Sequence, residues 1–179
     1  MLITEEYRRI NADLHRDKPE YGTSGKRWAR QVEGFIEMIG ARSVLDYGCG
    51  KQTLRDALPH RDITGYDPAF EDLSASPIAH DLVVCSDVLE HIEPDCIDAV
   101  LDHLKVLAIK GVFLLVATVP AYKHLPDGRN AHILQRPSEW WMPRIQARWD
   151  LNTFNRIAIQ HKDRGKEYGE FIVTGMPTK

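Results

Sequence analysis

Apolar residues recur along the chain at two spacings, and the switches between them mark out its elements. Trp28, Val32, Phe35, Ile36 and Ile39 fall three and four residues apart, the one-sided stripe of an amphipathic helix. Tyr21-Gly22-Thr23-Ser24-Gly25 reads as the turn before it, so a helix is predicted over 24–39 and closed by Gly40. Residues 5–18 are expected to begin a helical extension upstream. The short apolar run at 43–46 ends in Gly48-Cys49-Gly50, after which Leu54, Ala57 and Leu58 suggest a helix stopped by Pro59. A second strand is predicted at 62–67, where Pro68 cannot continue a central ladder, and an irregular stretch follows to about His80.

Asp81 to Ser86 (DLVVCS) is near-continuously apolar rather than alternating, as expected of a strand covered on both faces of a parallel sheet. A helix over 95–109 places Ile97, Val100, Leu101, Leu104, Val106 and Leu107 largely on one side. Lys110-Gly111 is predicted to end it before a strand at 112–118. A polar loop from about Pro120 to Gln135 leads to a helix near 138–148. Strands at 153–160 and 167–174, joined through Lys162-Asp163-Arg164-Gly165, read as a terminal hairpin. The alternation βαβαβαβ with a closing antiparallel pair predicts a doubly wound, mostly parallel α/β sheet. No repeat or linker divides the 179 residues, so a single domain is expected, residues 1–40 forming an extension and 41–179 the α/β core.

Composition narrows the function. Lys plus Arg number 23 against 26 Asp plus Glu, a formal charge of −3, so no global positive field draws nucleic acid. Cys49, Cys85 and Cys96 are odd in number and at no zinc-ligand spacing. With no apolar leader at the amino terminus, the expectation is a reducing, cytoplasmic setting. The longest apolar stretch, 112–119, is far short of the roughly 18 residues of a spanning helix.

In a doubly wound sheet, ligands bind beyond the carboxyl ends of the strands. Asp46-Tyr47-Gly48-Cys49-Gly50 lies there, where glycines let a turn approach a ligand closely, although such a turn also serves packing alone. Asp67 ends the next strand, 19 residues after Gly48. A carboxylate at that spacing can accept two hydrogen bonds from a ribose diol; the alternative is a turn aspartate before Pro68.

With these motifs in place, residues 43–120 resemble the class I S-adenosylmethionine-dependent methyltransferases. SVLDYGCGKQTL is similar to their first motif, ITGYDPA to their acidic second-strand motif and HDLVVCSDVLEHIEP to their fourth-strand motif. LDHLKVLAIKGVFLLVATVP is similar to the helix and fifth strand that follow. The DxGxG pattern, in place of GxGxxG, sets aside a nicotinamide oxidoreductase. The resemblance implies S-adenosyl-L-methionine as cofactor, with Asp46, Tyr47, Gly48, Cys49 and Gly50 along its methionine portion. It places Asp67 and Pro68 at the ribose, and Ser86, Asp87 and Val88 under the sulfonium. Two departures stand out. Gln52 occupies the place of a frequent third glycine, and the usual third strand is compressed into 70–79, leaving Glu71, Asp72 and Leu73 as candidates for the adenine contact.

Asp87-Val88-Leu89-Glu90-His91 admits three readings. Glu90 and His91 brace the helix entry; or His91 meets the substrate as a polar contact or base; or Asp87, Glu90 and His91 bind a metal with His132. The third arrangement is similar to the metal-dependent 2′-O-methyltransferases that act on small-RNA 3′ ends, with Asp87 in place of their first glutamate. The leading reading assigns no metal. The loop from His124 to His132 places Arg129 and Asn130 as substrate contacts, or is a solvated turn. Trp140 and Trp141 roof a substrate pocket or fill core. Lys26, Arg27 and Arg30 close over the cofactor carboxylate or form a solvated face. His132 is the first choice of base and His91 the second.

The expected function is methyl transfer to a small-molecule or sugar-like acceptor, with neither nucleic acid nor membrane as partner. A metal-assisted RNA or nucleotide O-methyltransferase and a degenerate cofactor-binding partner subunit are the alternatives.

Overall fold

The computed structural model describes residues 1–161 and 165–178. Helix α1 (Glu5–Asp17) is capped by Thr4, whose hydroxyl accepts from Tyr7 N, and carries Glu5 and Glu6 in its first turn, where the helix dipole favours them. A 3-10 turn (Gly25–Trp28) leads into α2 (Ala29–Ile39), which Gly40 ends in the left-handed conformation. Then follow β1 (Val44–Tyr47), the short α3 (Thr53–Ala57), β2 (Ile63–Tyr66), β3 (His80–Ser86), α4 (Ile97–Leu107) and β4 (Ala108–Ala117). Helix α5 (Ser138–Gln146) and the long strands β5 (Trp149–His161) and β6 (Gly165–Pro177) complete the chain.

The six strands lie in the order β2-β1-β3-β4-β6-β5. The first four are mutually parallel, and β6 runs antiparallel to β4 and to β5. Both faces are covered, which explains the unbroken apolar runs. Leu82, Val84, Phe113 and Leu115 pack with Val32, Phe35 and Ile36 of α2. The intervening Val83, Cys85, Val112, Leu114 and Val116 pack with α4 and with Trp141 and Ile145 of α5. Alternation across the pleat splits one continuous run between two cores. A third, separate cluster joins Tyr7 and Leu14 of α1 to Leu125 and Ala131 of the loop after β4. Among the described residues no helix is long and apolar enough to cross a membrane.

Several expected boundaries move. Lys110-Gly111 is not a turn, because β4 starts at Ala108 directly after α4. Gly111 serves packing instead: a Cβ there would stand 3.0 Å from Ile39 Cδ1 and 3.2 Å from Phe35 Cε1, so its absence lets α2 lie close on the sheet. The hairpin strands run to 13 residues each, and the connecting Lys162-Asp163-Arg164 lies outside the described residues. Between β2 and β3 the chain forms a 3-10 turn (Glu71–Leu73), tied back by Asp67 N donating to Leu73 O. No strand is added there among the described residues, and β2 is the sheet edge. The order reverses between β1 and β3, and the crevice beyond their carboxyl ends is where a ligand is expected.

Candidate active site

The turn after β1 is shaped by close approaches. Gly48 (φ +75°) and Gly50 (φ +49°) adopt left-handed backbone. A Cβ on Gly48 would fall 2.5 Å from Val88 Cγ2, and one on Gly50 would fall 2.7 Å from Gly22 O. Gly48 N and Cys49 N both donate to Tyr66 O, lashing the turn to the end of β2. Gly50 N donates to Asp67 Oδ2 at 3.0 Å, and Ala69 N to Oδ1 at 2.9 Å. Gln52, at the frequent glycine position, is left-handed as well (φ +57°), a conformation that costs a side-chain-bearing residue roughly 1–2 kcal/mol. Its Oε1 accepts from Arg55 Nη1.

This turn borders a partly open cavity of about 480 Å³. One wall is made by Asp46 to Gly50, Tyr66 to Ala69 and Ser86 to Val88; the opposite wall comes from α1, the segment 20–25 and residues 119–123 with Ala131 and His132. Burial, reinforced by Asp67, pushes the Asp46 carboxyl up to about 7. Burial also raises Asp67, while its two backbone N–H donors pull it back. A carboxylate offers about four acceptor sites, so Asp67 keeps capacity for two further donors on the cavity side. Asp87 is the second left-handed non-glycine (φ +55°), its N–H bound to Leu115 O. Burial raises its carboxyl to about 6, opposed by Ser24 and Arg27 beside it. Arg27 forks onto Glu170 at 3.0 and 3.1 Å.

Beyond Asp87 lie Glu90, His91 and His132, whose ligating atoms fall within 4.8 Å of one another. Glu90 is fully buried. Its Oε1 accepts from Ala117 N and its carbonyl from Leu134 N, while Oε2 has no partner. Burial, reinforced by Asp87, pushes this carboxyl well above the usual range. His91 Nδ1 stands 2.7 Å from Ala131 O, and His132 Nδ1 stands 2.6 Å from Val119 O. A carbonyl only accepts, so each Nδ1 carries the proton and each Nε2 is left with a lone pair. The two rings meet edge to face at 4.8 Å. Burial and the neighbouring ring lower His91 to about 3, and burial lowers His132, opposed by the Val119 carbonyl. Both imidazoles are neutral acceptors at physiological pH.

Of the expected site residues, Asp46, Tyr47, Gly48, Cys49, Gly50, Asp67, Pro68, Ser86, Asp87, Val88, His91 and His132 all line this one cavity. Others lie elsewhere. Arg129 is exposed, forks onto Asp127 and lies over the outer side of Tyr7. Asn130 braces the loop instead, its Oδ1 accepting from Ala121 N and His132 N, which fixes where His132 sits. Trp141 is wholly in the core with its indole N–H on Arg136 O, and Trp140 stacks under Arg144; neither borders the cavity. Lys26 and Arg30 are solvent-exposed, Arg27 alone of the three basic residues reaching the site. Glu71, Asp72 and Leu73 face outward from the 3-10 turn and do not line the cavity. Asp87 stands apart from the Glu90, His91 and His132 cluster.

Sequence reasoning missed Tyr7, Asn11 and His15 on α1, with Tyr21 and Glu170, all of which line the cavity. Tyr7, Asn11 and His15 recur every four residues on one helix face, which was a readable signal.

A parallel sheet with a glycine turn after its first strand, an acidic residue after its second and an antiparallel closing hairpin defines an α/β domain of the class I methyltransferase type. A family model described as a methyltransferase domain matches residues 7–161, and the chain belongs to that family. Solved structures of the same fold include the Burkholderia thailandensis 1,6-didemethyltoxoflavin-N1-methyltransferase with bound 1,6-didemethyltoxoflavin and S-adenosylhomocysteine. It is 13% identical over 100% of this chain and 92% of that one, TM-score 0.68. The methyltransferase domain of bacterial CtHen1 is 17% identical over 86% and 100%, TM-score 0.59. The magnesium protoporphyrin IX methyltransferase of Synechocystis PCC 6803 with bound S-adenosylhomocysteine is 17% identical over 86% and 83%, TM-score 0.59. No curated protein matches the sequence.

Proposed function

We propose that this chain transfers a methyl group from S-adenosylmethionine to the O–H or N–H of a small molecule. The observation that carries the reading is that Asp67 and the His91–His132 pair line the same cavity. The residues fit the cofactor: Gly48 and Gly50 leave the backbone bare where a side chain would block the crevice, and Asp67 has acceptor capacity for a ribose diol. Asp46 to Gly50 would run along the methionine portion, Asp67 and Pro68 at the ribose, and Ser86, Asp87 and Val88 at the sulfonium end. The cofactor supplies an electrophilic methyl group.

The chain then has three tasks. The cavity walls position the acceptor in line and exclude water. His132 Nε2 takes the acceptor's proton, with His91 Nε2 the second candidate. Asn130 and Val119 hold the His132 ring and its tautomer in place. The cavity volume is within the range of pockets for a single drug-sized ligand, which favours a small acceptor beside the cofactor.

Titration calorimetry with S-adenosylhomocysteine tests the cofactor assignment. The wild-type chain binds, NADH gives no heat, and Asp67→Ala weakens binding about 10- to 100-fold, as loss of charge-assisted hydrogen bonds implies. Absence of binding by the wild-type chain would overturn the reading.

The Glu90–His91–His132 cluster favours a second reading. Nδ1 of each histidine is anchored on a carbonyl, as metal-ligating histidines commonly are, so the same atoms could hold a divalent cation that activates the acceptor. Methyl transfer unchanged by EDTA supports the base; loss restored by manganese or magnesium supports the cation.

A further inference from the structure

The lid side of the cavity is a run of rings. His15 of α1 packs against Phe70 at 4.7 Å and Tyr21 at 4.6 Å. Tyr21 meets His91 edge-on at 5.9 Å, and His91 meets His132 at 4.8 Å. The series therefore extends from the end of β2 to the loop after β4, and Tyr7 borders the same space one helical turn before Asn11. These side chains come from an element outside the sheet, and none of the cofactor assignments uses them.

The two cationic side chains on the wall are already matched. Arg27 is held by Glu170 in two hydrogen bonds. Lys123 pairs with Glu20 at 3.1 Å and lies 5.3 Å from the centre of the Tyr21 ring. An anionic acceptor would therefore find no unpaired cation among the described residues lining the cavity. Flat rings are held by stacking and edge contacts, whereas a sugar needs a dense set of free hydrogen-bonding side chains, and on this wall Asn11 already donates to Tyr7 O, Thr23 donates to Glu20 O and Glu20 is paired with Lys123.

We propose that the methyl acceptor is a planar ring compound without negative charge, phenolic or heteroaromatic, seated against Tyr7, His15 and Tyr21 with its exchangeable proton toward His91 and His132. This rests on the methyltransferase reading and narrows it from any small molecule to one class. The reaction balances simply: the acceptor O–H or N–H loses its proton to an imidazole nitrogen, its lone pair forms the new bond to carbon, and the carbon–sulfur bond breaks onto sulfur.

The test uses the full chain saturated with S-adenosylhomocysteine and three probes. These are 7-hydroxycoumarin at mildly acidic pH, where the phenol is neutral, its 3-carboxylate as an anionic control, and methyl α-glucoside as a sugar. The neutral ring is expected to bind at least about 10-fold tighter than either control. Tyr21→Leu and His15→Leu should each weaken it about 2- to 10-fold, the range of one aromatic contact, with far-UV circular dichroism unchanged. Wild-type protein that binds S-adenosylhomocysteine but prefers the carboxylate or the sugar overturns this inference and leaves the cofactor reading intact. So does unaltered ring binding in both variants. Failure to bind S-adenosylhomocysteine at all overturns both.

Discussion

The sheet and the lid are held by different physics. Leu45, Leu82, Val83, Val84, Leu114 and Leu115 are completely buried between two helical layers, and each such side chain contributes about 1.5–3 kcal/mol by leaving water. The lid, α1 with residues 119–134, rests chiefly on the small Tyr7, Leu14, Leu125 and Ala131 cluster, with Leu134 reaching the main core, and polar clamps complete it. Thr4 donates from N and Oγ1 to both Glu93 oxygens at 2.8 Å, and Asn130 exchanges hydrogen bonds with Ala121. Area holds the wall built on β1 to β3; a few directional bonds hold the wall built from α1 and the loop after β4. The second wall is therefore the one expected to open locally at the lower free energy.

The contrast can be broken most severely in the sheet. Leu114→Ala should cost about 2–5 kcal/mol in urea denaturation, the range for a cavity left in a packed core. A cost under about 1 kcal/mol would mean the two-sided core is looser than described. Next comes the junction of the halves. Gly48→Ala should lower S-adenosylhomocysteine affinity about 10-fold or more, since strained backbone and the Val88 clash together cost about 1–3 kcal/mol. Val88→Ala in the same chain should recover part of that loss in calorimetry, and no recovery would show that the clash is not the cause.

In the lid, Glu93→Gln should weaken the clamp by about 1 kcal/mol. Hydrogen exchange of the α1 amides should then speed up about 5-fold, with β3 and β4 unchanged; acceleration throughout the molecule would dissolve the distinction between the halves. The smallest effect is with pH. Burial lowers His15 to about 4, from a usual value of about 6.5. The unfolded chain therefore binds the proton first as pH falls, and the contribution to stability is full above about 6.5 and lost toward pH 4. Over pH 7 to 6 the change in Tm is slight, and below that His15→Gln should flatten the acid limb. An acid limb as steep as the wild type's would remove His15 as its source.

How much of this was readable in advance follows the range of each interaction. DxGxG after β1, Asp67 after β2 and the two-faced run of β3 are local patterns, and each lies where its spacing predicted. Trp140 and Trp141 have the same hydropathy whether they fill core or roof a pocket, and only the packing of α5 on the sheet assigns them to core. Gly111 looked like a helix stop because glycine marks both turns and close contacts, and the nearness of Ile39 decides which it is. Arg129 and Asn130 were placed near the acceptor by loop polarity. One is spent on Asp127 and the other on bracing Ala121 and His132.

By itself the sequence determined the alternation of strands and helices, the family and the glycine turn and acidic residue that end β1 and β2, because periodicity and short motifs act through neighbours in the chain. The tertiary structure alone decided that Tyr7, Asn11, His15 and Tyr21 face His91 and His132 across one cavity. It also decided that both imidazoles present a bare Nε2. Those facts depend on carbonyls and rings up to about 125 residues away, brought together by the burial of the sheet; the four-residue pattern within α1 says only that its three side chains share a face.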